Sequence, residues 1–145
     1  MFSNSSIAWD YLDASVFIAH RRGKLVDADF GHFLEDMLPR SHVRRVVVRA
    51  SDGAPRADHR AALLRWYSAN SVRGAVLTDS VLARGGVTAL GWFGVAIRAF
   101  PPHQIEPAFD FVEIPTGHWP DAKNVMNAAI AMVDGLRSDS APNGR

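Results

Sequence analysis

The chain has 145 residues, 48% of them apolar and 21% charged, with a mean hydropathy of −0.04 and a formal net charge of +1. Those values suit one folded domain around one core, and they exclude a disordered polyelectrolyte or a chain held on nucleic acid by bulk charge. The lack of cysteine removes disulfides, thiolate metal sites and a cysteine nucleophile, and no apolar run nears the ~20 residues of a membrane span.

The N-terminus MFSNSSIAWD lacks the basic start and apolar stretch of a secretory signal, so a cytoplasmic location is expected. Ile7–Leu12 (IAWDYL) alternates apolar and polar residues and predicts a strand; Ser15–His20 (SVFIAH) predicts a second, more buried one. Their close spacing, with Asp13-Ala14 between, predicts an antiparallel hairpin. Asp27 can cap a helix whose stripe is Phe30, Phe33, Leu34, Met37 and Leu38, ended by Pro39. Val43–Ala50, with its run Val46-Val47-Val48, predicts a central strand buried on both faces.

Ser51 to Pro55 is loop chemistry, and Asp58 then caps a helix carrying Ala61, Leu64 and Tyr67, with Leu63 and Trp66 flanking. Gly74–Thr78 predicts another buried strand. Asp79 or Ser80 caps a third helix running toward Phe93, weakened at Gly85-Gly86. Val95–Phe100 predicts the last strand, closed by Pro101-Pro102, with a short helix over Ile105–Phe111. Asn124–Arg137 predicts a final helix with Val125, Met126, Ala129, Ile130 and Val133 on one stripe, followed by a polar, frayed tail from Ser138.

This order predicts an α/β fold: a mixed, mostly parallel sheet with helical crossovers, an N-terminal antiparallel hairpin and an extra C-terminal helix. A single domain over 1–137 is expected, with 138–145 as a flexible tail.

The strand-strand-helix opening, the buried strand before a polar loop and the strand ending in Phe100 resemble the STAS and SpoIIAA-like domains. These are anti-sigma-factor antagonists and stand-alone bacterial relatives described as STAS-like or SEC14-like. The resemblance covers Ile7 to Glu113 and rests on element order and apolar pattern, with the helix near 121–137 as an addition. It implies a non-catalytic regulatory or protein-interaction module. Phosphorylatable antagonists carry an Asp-Ser-Ser-Gly-like sequence after the central strand, and a partner kinase switches its serine. Here Asp58 matches the aspartate and His59 stands at the serine, so no serine switch is expected there. Ser51 is a hydroxyl in the same loop, outside the motif position.

Other constellations stay open. Arg56, Asp58, His59 and Arg60 surround a predicted helix N-terminus, which suits an anion or a partner's acidic group; the alternative is an aspartate cap with solvated neighbours. Ser51, Asp52 and His59 have the residue types of a catalytic triad but no spacing that defines one. Glu35 and Asp36 are adjacent on a helix and do not form a catalytic pair. The six histidines make no compact ligand spacing, and Gly85, Gly86, Gly91 and Gly94 make no phosphate-loop motif, so neither a metal nor a cofactor is expected.

Trp66, Tyr67, Trp92 and Phe93 are either core or the lining of a pocket for a small apolar or lipid-like ligand. The C-terminal stripe docks on its own sheet or on a second copy, as a homodimer. Eight arginines between Arg40 and Arg73, against Asp52 and Asp58, give that segment a net +6. They are a solvated face or a surface for an acidic protein partner. Neither nucleic-acid binding nor membrane insertion is expected. The hypotheses are thus an interaction module, a carrier or sensor of an apolar ligand, and an enzyme whose motif is not visible.

Overall fold

Six strands form one sheet whose spatial order follows chain order: β1 (Phe2–Ser3), β2 (Ile7–Leu12), β3 (Ser15–His20), β4 (Arg45–Arg49), β5 (Arg73–Leu77) and β6 (Ala96–Phe100). They are seen in a computed structural model that describes residues 1–50, 52–92 and 94–140. The first three strands are antiparallel and the last four, β3 to β6, run parallel. Asp13 makes the tight β2–β3 turn at φ 52°, a left-handed conformation that aspartate tolerates better than most residues. The helices are α1 (Asp27–Met37), α2 (Ala57–Ala69), α3 (Val81–Trp92), α4 (Ile105–Phe111) and α5 (Trp119–Ser140), with a 3₁₀ turn over Thr116–His118.

Successive parallel strands laid down in one direction and joined by crossovers of one hand place α1, α2 and α3 on the same face, where all three line one cavity. Phe30, Phe33 and Met37 of α1 and Trp66 and Tyr67 of α2 meet Val16, Ile18 and Val46 there. The opposite face is covered by α4 and α5, where Phe109 and Met126 meet Phe17, Val47 and Leu77. Val46 and Val47 therefore point into different layers, and the two-sided burial expected of the valine run is present. The mixed α/β sheet, its opening hairpin and the central parallel strands stand as the sequence predicts.

Helix α5 starts at Trp119 rather than Asn124 and continues to Ser140, past the expected start of the tail. Met126, Ala129 and Val133 are fully buried, and the last two pack on Ala8 and Ala19 of β2 and β3. The stripe thus docks on its own sheet, which leaves the outer side of α5, with Met132, toward solvent. Arg49 fastens this docking. Its guanidinium pairs with both carboxylate oxygens of Asp134, at 3.0 and 3.3 Å, and Nη2 also donates to the His20 carbonyl at 2.9 Å.

The edge strand β1 has no counterpart in the sequence reading. Phe2 stacks on Trp9 of β2 with ring centroids 5.9 Å apart. Behind them, Trp9 Nε1 and Tyr11 Oη donate to Asp36 Oδ2 at 2.9 and 2.6 Å, and Arg40 Nη2 donates to Oδ1 at 3.1 Å. Partial burial pushes the Asp36 carboxyl up, but these hydrogen bonds together outweigh it and hold the group below its ordinary range. Asp36 is a clamp between β2 and α1. Among the described residues, no helix is long and apolar enough to cross a membrane.

Candidate functional site

Between the sheet and its crossover helices lies a cavity of about 470 Å³. Alternate residues of the central strands, such as Ile18, Val46 and Val48, form its floor, because period-two side chains on that face all point toward the helices. Phe30 and Phe33 of α1 and Leu63 and Leu64 of α2 form the walls. The roof is α3, whose inner side presents Ala83, Gly86, Val87 and Leu90. Ala83 and Gly86 are too small to fill the space beneath the helix, so the volume stays open. Gly53, Ala54, Arg60 and Gly86 line the cavity and are also exposed, which marks its rim. The volume and apolar wall are those of a small-molecule site, typically about 300–1,000 Å³.

Three polar side chains line this cavity among the described residues: His20, Arg60 and Tyr67. His20 ends β3 on the same face as Val16 and Ile18 and is 6% exposed. It stacks on Phe30 at 5.9 Å, and its Nδ1 has no hydrogen-bond partner. Burial, reinforced by the Arg49 charge, pushes its pKa down to about 4, so the ring is neutral at physiological pH. Tyr67 lies against Gly74 of β5. A Cβ at Gly74 would fall well inside contact distance of the Tyr67 hydroxyl, so glycine is what lets the phenol lie on the strand. Burial alone raises the Tyr67 pKa and keeps the phenol protonated. Arg60 stands at the rim, with Nη1 donating to the Pro55 carbonyl at 2.7 Å.

Of the four residues expected around a pocket, Tyr67 lines it. Trp66 is buried beside Tyr67, rings 5.4 Å apart, but does not line the cavity. Trp92 is 82% exposed, which corrects its assignment to a lining. It lies eleven residues, about three helical turns, after Val81, so both sit on the outer side of α3, where Leu82 is exposed as well. Phe93 lies outside the described residues.

The loop candidates do not converge on one point. Arg56 is the N-cap of α2 and makes no side-chain cap, while Asp58 is already inside the helix, which corrects its reading as the cap. Its carboxylate accepts from Arg56 Nε at 2.6 Å, and that hydrogen bond holds the Asp58 carboxyl below its usual range. His59 is buried against Phe30, 5.5 Å away, and its Nδ1 is also without a partner. It faces a second, more open hollow of about 460 Å³ along α1 rather than the cavity. Arg56 and Arg60 are thus engaged by the protein's own oxygens. Ser51 lies outside the described residues.

The arginine-rich segment is partly neutralised within the fold. Arg40, Arg49 and Arg73 pair with Asp36, Asp134 and Glu113, acids from outside the segment, and Arg56 pairs with Asp58. Among the described residues, no cluster of His, Asp or Glu is arranged to hold a metal ion.

His20 is the residue that sequence reasoning missed, since it was weighed there for metal-ligand spacing alone. The signal was present: His20 stands two residues after Ile18 and four after Val16, on the face of a strand that points to the helices. No protein-family model matches the chain, and no curated protein matches it.

Proposed function

We propose that this chain is a non-catalytic binding module on a STAS-like scaffold that takes a small apolar or amphipathic molecule between its sheet and crossover helices. The observation that carries the reading is the cavity of about 470 Å³ under α3, walled by aliphatic and aromatic side chains. Its polar groups, one imidazole, one phenol and one guanidinium at the rim, orient a ligand. They supply no nucleophile paired with a base.

The test is fluorescence titration with the neutral dye N-phenyl-1-naphthylamine. The wild type is expected to bind it saturably. Val48→Trp, which fills the cavity from its floor, should weaken binding by about tenfold or more with an unchanged far-UV spectrum. A wild type that shows no saturable signal would refute the reading.

A second reading, the regulatory interaction module implied by the family resemblance, is favoured by the outer side of α3. Val81, Leu82 and Trp92 are all about four-fifths exposed on a helix with one charged residue, Arg84. The same helix roofs the cavity, so a ligand beneath it and a protein above it would share one element. An identified partner that binds wild type and Trp92→Ser equally would count against this surface.

A further inference from the structure

We propose that the cavity takes an elongated, uncharged amphiphile held at both ends, by the His20 imidazole at one end and the Tyr67 hydroxyl at the other. The proposal rests on the cavity being a ligand site and adds the chemical class of ligand.

The first support is the state of the two groups. Both are more than nine-tenths buried and form part of an otherwise apolar wall. Among the described residues, neither the His20 ring nor the Tyr67 hydroxyl makes a side-chain hydrogen bond within the protein. Of their polar atoms His20 Nδ1 is fully enclosed, which leaves Nε2 and the phenol oxygen as the ones open to the cavity. A polar atom that opens onto an apolar cavity without a protein partner favours a ligand that supplies one, and an oxygen or hydroxyl of a bound molecule does so at each end.

The second support is their separation. Tyr67 lies on Gly74, and the strand register aligns Gly74 with Val46 and Val46 with Val16. His20 stands four residues beyond Val16 on the same face of β3. At ~3.3 Å per residue the two groups are ~13 Å apart along the strand direction. β3 and β5 are also two strands apart, ~9.6 Å across the sheet, so the full separation is ~16 Å, which an extended ten-carbon diol covers together with a hydrogen bond at each end.

The third support is charge. Arg60 is the one charged lining residue among those described, and it sits at the rim on the Pro55 carbonyl. Among the described residues no charged side chain lines either buried end, and Arg49, whose charge reaches His20, is already paired with Asp134, so a hydroxyl or carbonyl is matched there and a carboxylate or ammonium is not.

The experiment displaces N-phenyl-1-naphthylamine with decane, 1,10-decanediol and decanedioate, at neutral pH, from wild type, His20→Phe and Tyr67→Phe. His20→Phe keeps a ring stacked on Phe30, and Tyr67→Phe removes one oxygen. Circular dichroism and thermal unfolding report whether each variant keeps its fold. Each substitution is expected to weaken the diol about tenfold while changing decane by less than twofold, and decanedioate should compete poorly throughout. If either variant leaves the diol unchanged, or decane loses as much as the diol, the two-ended site is overturned while the cavity reading stands. Decanedioate competing as well as the diol overturns the uncharged class. A dye that never binds the wild type removes the cavity reading itself.

Discussion

His20 is kept neutral inside the fold, and that fixes how the protein responds to acid. Its pKa falls from 6.5 to about 4, first through burial and then through the Arg49 guanidinium on the neighbouring strand. Asp134 balances that guanidinium from α5, and the faces packed on the ring are otherwise aromatic and aliphatic. Between those two values the unfolded chain binds a proton that the folded chain refuses. The contribution is therefore fully present above pH 6.5 and is lost as pH falls toward about 4, by up to ~3 kcal/mol. Urea unfolding at neutral pH and near pH 4.5 should show the loss in wild type. In His20→Phe the loss should be smaller by most of that amount, because other acid-sensitive groups remain. Equal losses in the two proteins would mean that the ring is protonated in the fold.

Helix α3 shows how one element can serve two faces, and where pattern reading stops. Gly85 lies inside it with ordinary helical φ, and a Cβ there would meet nothing within 4 Å. Gly85→Ala should therefore stabilise the helix by about 0.5–1 kcal/mol, seen as a rise of a few degrees in Tm. A fall would show that the glycine serves a conformation other than this helix. The strands were legible because Val46-Val47-Val48 carries its own evidence of two-sided burial, and α1 because its phenylalanines recur at helical spacing. The facing of α3 was not legible, since apolar residues occur all round it and nothing local distinguishes Leu90 inside from Trp92 outside. The Asp36 clamp was illegible for another reason: its partners Trp9 and Tyr11 lie 27 and 25 residues away in the chain. The cavity belongs to the same class. It exists because small residues of α3 happen to face a flat strand surface, a coincidence of tertiary packing that no spacing records.

At the scale of the molecule, the two layers have different histories. The crossover helices are interleaved with the strands they cover, but the opposite face is closed entirely by α4 and α5, which follow every strand in the chain. During synthesis the face bearing Phe17, Val47, Leu77 and Phe100 is therefore complete before its cover has been made. A nascent sheet in that state is open to chaperones and to other nascent chains. A fragment of residues 1–104 reproduces the intermediate. It should bind hydrophobic dyes along its bare sheet and lack the near-ultraviolet spectrum of fixed aromatic packing. If it unfolds instead as a cooperative, dye-free domain, the late helices are an ornament on a finished fold. Otherwise the time between the last strand and α5 is the interval in which this protein is most exposed to loss.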